Sequence, residues 1–210
     1  MEKSNSDIAL FLRRAADLLE IGGENEFKAR AYRTAAATVE DVAEPLAGAA
    51  REGGAAALQR LPGVGKSLAA QIAEFVATGT SAAFERLRLE IPESVLEVLT
   101  VRGIGIKMAT TLYRDFDVVD LEDLERFAEG GGFEAVPGLG DKAIDRLVGA
   151  VRSASKARPR VALADAERLA ERLVERLRTA RPEAEVMVAG EVRRRRDRVA
   201  ALDLLAVAAG

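Results

Sequence analysis

Three glycine pairs carry the clearest chemical suggestion in this chain: Gly63-Val64-Gly65, Gly103-Ile104-Gly105 and Gly138-Leu139-Gly140. Each encloses one apolar residue and precedes an apolar-periodic stretch, with first glycines 40 and then 35 residues apart. Three copies in this order form a structural repeat. Glycine permits a tight turn and lets a ligand come close to the backbone. The amides after the second glycine then lie at a helix N-terminus, where partial positive charge favours an anion. Lys66 and Ser67 follow the first pair, Lys107 the second and Lys142 the third. Phosphate is the anion that such a sequence-indifferent clamp would take, and DNA presents it regularly. The alternative is a plain connection between helices, where glycine is also common.

Other chemistries are removed by composition. The 210 residues include no histidine and no cysteine. That excludes a Ser-His-Asp triad, imidazole bases, thiolate nucleophiles and Cys/His zinc sites. Catalysis is left to Lys, Tyr, Ser/Thr or carboxylates with a hard cation. With 31 Lys+Arg against 34 Asp+Glu, the formal net charge is -3, so nucleic acid would be held at local sites rather than by a global field. A hydrophobic fraction of 49% supports folded domains. No stretch approaches about 18 uncharged apolar residues, so no transmembrane helix is expected. The amino terminus lacks a signal-peptide core, which makes the cytoplasm the default location, and no membrane partner is expected.

The elements that must position these residues read as helices, given abundant alanine and only 4% aromatics. Ser6-Asp7 is placed to cap a helix over about 8–21, with Leu10, Leu12, Leu18 and Leu19 as apolar candidates. Phe27, Ala31, Ala35 and Val39 recur every four residues and define one face of a second helix. A short helix over 55–61 leads into the first glycine pair. Helices are expected over 68–77, 109–116 and 143–151, one after each pair. Residues 152–160, with four basic residues and no acid, read as a linker. A charged amphipathic helix over 164–179 follows, then strands over 185–189 and 201–207 around an arginine-rich turn, 193–198. One helix and two strands are too little for an independent domain. This segment therefore reads as the beginning of a domain whose remainder is absent.

The run 61–79, LPGVGKSLAAQIAEFVATG, resembles the first helix-hairpin-helix of family X DNA polymerases, the gap-filling repair enzymes. Residues 27–36, FKARAYRTAA, resemble that family's amino-terminal lyase domain, and 101–105 the second hairpin, in the fingers. Residues 189–205, AGEVRRRRDRVAALDLL, resemble the start of the catalytic palm. The resemblance implies a mainly α protein: helix-hairpin-helix domains followed by a small α+β fragment of a nucleotidyltransferase palm. Its implied divisions are 1–80, lyase-like with the first hairpin; 81–155, fingers-like; and 160–210, a truncated palm.

The resemblance also implies sites. A monovalent cation, potassium or sodium, would sit on the backbone carbonyls of Gln59, Leu61 and Val64, and another on those of Leu99, Val101 and Ile104. Gly63, Gly65, Lys66, Ser67, Gly103, Gly105 and Lys107 would contact DNA, and Lys28 and Tyr32 a 5′-phosphate. Tyr32 also reads as core packing beside Phe27. Gly190 and Arg194 match nucleotide-binding positions, although Glu191 puts a carboxylate where a triphosphate would sit. The chemistry itself departs from the family. Gln71 stands where the Schiff-base lysine belongs, and an amide cannot form the imine. Asp203 matches one magnesium ligand, whereas Ala201 replaces the other, so magnesium is expected only if the palm is completed. The arginine run reads equally as a solvated turn or as phosphate contacts. The resulting expectation is a DNA-binding protein for gapped or nicked DNA or 5′-phosphate ends, without catalysis of its own. The alternatives are a polymerase active in gap repair or completed by a protein partner, and a helical protein-interaction module.

Overall fold

A computed structural model describes residues 3–23, 26–157, 161–200 and 202–208. The protein is mainly α-helical. Ten helices, two 3₁₀ segments and four short strands are described: α1 (Asn5–Ile21), α2 (Glu26–Asp41), α3 (Leu46–Leu58), α4 (Lys66–Thr78), α5 (Ala82–Glu90), 3₁₀ segment Glu93–Thr100, α6 (Ile106–Phe116), α7 (Leu121–Glu129), 3₁₀ segment Gly132–Ala135, α8 (Asp141–Ala157), β1 (Val161–Ala162), α9 (Leu163–Ala180), β2 (Ala184–Val188), α10 (Gly190–Arg193), β3 (Arg198–Val199) and β4 (Leu204–Ala208). No helix among the described residues is long and apolar enough to cross a membrane.

The chain divides into two compact units, Met1–Ser155 and Lys156–Gly210. In the first, α1 is the central element. It buries nine residues and packs against α2, α4, α5, the Glu93–Thr100 segment and α6. One core therefore joins the segments around the first and second glycine pairs. Phe11 stacks on Phe75 at 4.3 Å between ring centroids and meets the Phe84 edge at 5.2 Å. The cap of α1 is Ser4 rather than Ser6-Asp7: Ser4 and Asp7 form a reciprocal capping box. The Ser4 backbone and side-chain hydrogen bonds hold the Asp7 carboxyl below its ordinary value.

Several sequence expectations are corrected by packing. Leu10 is exposed, because α1 needs only part of its apolar surface for the core. On α2 the inward face is Ala29, Tyr32, Ala35, Ala36 and Val39, whereas Phe27 is 79% exposed. The four-residue spacing named the right helix but rotated its face at the amino-terminal end. α8 continues to Ala157, through most of the expected linker; residues 158–160 lie outside the described residues. α5, α7 and both 3₁₀ segments had no expectation, being short and weakly periodic.

In the second unit, α9 packs on β2, and β2 pairs antiparallel with β4, Val186 opposite Ala206. β1 and β3 form a separate two-residue ladder. Ala166, Val192 and Val199 make its small core. β4 begins at Leu204, three residues later than the sequence pattern suggests, and Ala201 lies outside the described residues.

Candidate nucleic-acid interface

The three glycine pairs fold into the same turn. In the first, the Leu61 amide donates to the Leu58 carbonyl at 3.1 Å, ending α3 in a tight turn. The Val64 amide donates to the Leu61 carbonyl at 3.1 Å, and Gly63 takes φ 75°. The second repeats this with Ile104 to Val101 at 3.0 Å and Gly103 at φ 95°. The third uses Leu139 to Val136 at 3.4 Å and Gly138 at φ 82°. Positive φ at each first glycine is the physical requirement behind the repeat. Val64 and Ile104 point inward and are buried, so the turn is anchored while its glycines stay exposed.

The second glycine does a different job. Gly65 is the N-cap of α4 and Gly105 of α6, and neither cap has a side-chain hydrogen bond. The first amides of a helix have no intrahelical acceptor. In α4 and α6 they emerge beside exposed Lys66, Ser67 and Lys107. The third copy differs in charge, since α8 opens on Asp141, whose carboxylate opposes an anion there. Two of the three turns thus combine exposed amides with a cation and no acid.

The carbonyls of Leu61 and Val101 each accept one amide and keep a second lone pair. With Gln59, Val64, Leu99 and Ile104 on the same two turns, the donor set is neutral oxygen, which fits a hard monovalent cation.

α2 passes directly over the first turn. A Cβ built on Gly63 would come within 2.9 Å of Thr34 Cγ2. The exposed side of α2, with Phe27, Lys28 and Ala31, therefore continues towards the Gly63–Gly65 turn. Phe27 as a surface aromatic was missed by sequence reasoning; its neighbours Lys28 and Arg30, both charged, were the available signal.

Tyr32 and Gln71 meet beneath this surface. The Tyr32 hydroxyl donates to Gln71 Oε1 at 2.8 Å, and the two residues are 7% and 8% exposed. Gln71 Nε2 reaches the Ser67 carbonyl and hydroxyl, each at 3.4 Å. The position expected to hold a lysine instead holds a neutral partner for a buried phenol. Replacing Gln71 with leucine should strip the hydroxyl of its acceptor and cost about 1–3 kcal/mol. Gln71→Leu with Tyr32→Phe should recover most of that loss in urea midpoints. A single Gln71→Leu chain as stable as the parent would show that the hydroxyl finds water.

The second unit brings Gly190 and Asp203 together. The Ala189 amide donates to the Asp203 carbonyl at 2.8 Å. A Cβ on Gly190 would lie 1.7 Å from Asp203 Oδ2. Glu191 is turned inward, 6% exposed, and its Oε2 accepts the Ala200 amide at 2.5 Å. The carboxylate keeps its negative charge while it holds the Ala200 amide. Arg194 is exposed at the end of α10, and Arg195, at φ 55°, pairs with Glu167 at 3.3 Å. Among the described residues no group of three or more His, Cys, Asp or Glu side chains is arranged to hold a metal ion. Asp203 by itself does not make a two-ion magnesium site.

Paired turns of this geometry define a helix-hairpin-helix protein. Residues 3–81 match the family described as "Helix-hairpin-helix domain", and residues 95–153 match "SAM-like Helix-hairpin-helix tandem". Over 199 residues, 95% of this chain, it is 30% identical to the "DNA polymerase/3'-5' exonuclease PolX" of Bacillus subtilis (strain 168). The chain is a PolX-like protein, related to the family X DNA polymerases. It spans 34% of the length of that relative.

Proposed function

We propose that this chain binds DNA at gaps, nicks or 5′-phosphate ends through its first two hairpins, and does so without catalysis of its own. The observation that carries this reading is the identical, exposed turn at Gly63–Gly65 and Gly103–Gly105, each with uncapped amides beside a lysine. The Bacillus relative, whose name describes a DNA-acting enzyme, supports DNA as the source of the phosphate. A potassium or sodium ion on the Gln59/Leu61/Val64 and Leu99/Val101/Ile104 carbonyls would add a positive charge between turn and phosphate. Lys28 supplies charge at the 5′ end, and Tyr32, committed to Gln71, acts as wall rather than donor. Phe27 offers its face to an unpaired base beside the first hairpin.

Binding of matched gapped, nicked and intact duplexes in a salt series tests this reading. Two clamps predict a shallow slope of log K against log salt, near about −2. Phe27→Ala should weaken gapped DNA by about 1–3 kcal/mol and intact duplex much less. Equal affinity for all three duplexes at every salt would overturn the preference, and absence of binding at low salt would overturn the reading itself.

Gln71 in the lyase position and Ala201 in place of one expected metal-ligand carboxylate support catalytic silence. Borohydride should trap no adduct with an abasic 5′ end, because the Gln71 amide cannot form an imine. An adduct mapped to Lys66, at the start of the same helix, would reverse that conclusion. A second reading is favoured by the apposition of Gly190 and Asp203, with Arg194 nearby in sequence. It holds that further polypeptide, in this chain or from a partner, completes a nucleotide and magnesium site there.

A further inference from the structure

We infer that the groove between the second hairpin and α8 docks a short amphipathic helix that carries acidic side chains. The groove encloses about 930 Å³ and lies wholly within the first unit. Its apolar lining is Met108, Leu139, Ala143, Leu147, Ala150 and Ala154. Four of these fall on α8 at 143, 147, 150 and 154, the spacing of one helical stripe. From 143 to 154 that stripe runs about 16 Å, three helical turns. Alanine at three of its four positions, with Gly149 beside it, leaves room for close approach. A Cβ on Gly149 would meet nothing within 4 Å.

The wall opposite is set by the turn itself, where a Cβ on Gly103 would come within 3.3 Å of Leu147 Cδ2. The hairpin thus shapes one wall of this groove.

Charge selects the occupant. Arg102 and Arg146 line the groove, and both are exposed. Arg146 Nε donates to the Lys142 carbonyl of its own helix at 2.9 Å. Neither guanidinium is in an ion pair among the described residues, although exposed arginines elsewhere in the first unit, such as Arg13 and Arg88, are paired. Two arginines over an apolar floor suit a helix with apolar residues at i, i+4 and i+7 and Asp or Glu beside them. Duplex DNA would satisfy the arginines but leave the apolar floor without a partner.

A display library of 16-residue helical peptides selected on the full chain tests this. Enriched sequences should carry that apolar spacing with flanking acids. As labelled synthetic peptides they should bind the parent at least tenfold more tightly than Arg146→Glu or Ala150→Trp. Ser153→Trp, at the exposed rim, serves as a second obstruction that leaves the core untouched. Gapped-duplex affinity of the groove variants should stay within twofold of the parent, a readout that separates this inference from the hairpin reading. Three results would overturn the inference: no groove-dependent sequences, selected peptides indifferent to all three substitutions, or groove variants that lose DNA as severely as they lose peptide.

Discussion

Replacing Gly65 and Gly105 together with valine is expected to lower affinity for gapped duplex about a hundredfold while leaving the fold intact. The reason lies in the division of labour within each turn. Gly63 sits at φ 75° with a Cβ path into Thr34, so a side chain there would damage the turn before any ligand arrived. Gly65 and Gly105 have φ −74° and −97°, values open to any residue, and a Cβ on either meets nothing within 4 Å. Their added side chains project only where a ligand would approach. A lost hydrogen bond to a charged phosphate is worth about 1.5 kcal/mol or more, roughly tenfold per clamp. Loss of glycine at an N-cap costs up to about 1 kcal/mol in stability. Titrations of parent, single and double variants, with thermal melts alongside, give the comparison. Parent-like affinity in the double variant would make the hairpins purely structural.

The second large effect is expected at Gly190. Alanine there meets Asp203 Oδ2 at 1.7 Å and its Cβ at 2.9 Å, and must also hold φ 60°. The left-handed backbone costs about 1–2 kcal/mol and the overlap about 1–3 more. The second unit has a core of few residues and little stability to lose. Gly190→Ala should therefore open 161–208 to protease while 3–155 of the same chain stays protected, as read by mass spectrometry of the fragments. Adding Asp203→Ala removes the overlap but keeps the backbone strain, so it should restore part of the protection. If Gly190→Ala resists protease like the parent, Asp203 swings clear and the apposition is not a fixed feature.

What could be read in advance differs between the two units for physical reasons. Gly63, Gly103 and Gly138 were legible because a left-handed backbone nearly dictates glycine, and the residue between each pair, buried in the first two and half-buried in the third, favours an apolar side chain. The helices after each pair were legible because a single periodic face carries them. Phe27 was misplaced because periodicity gives a face but not its limits: α2 outruns the core at its amino-terminal end, and its first turn is left on the surface. Gln71 was read as a lost nucleophile. That it also holds the Tyr32 hydroxyl depends on residues 39 positions apart, which no local pattern records.

Glu191 marks the same boundary. Its type gives the negative charge, but that the carboxylate turns inward to the Ala200 amide is a choice made by the hairpin that surrounds it. By itself the sequence determined that the chain is mainly helical, that its turns repeat and which residue types each turn requires. These follow from backbone sterics and local periodicity. Tertiary structure alone decided which of those residues face solvent, which polar groups satisfy one another, and that one side of the second hairpin closes a groove with α8. Those outcomes follow from packing between segments far apart in the chain, where a rotation of a few tens of degrees exchanges core for surface.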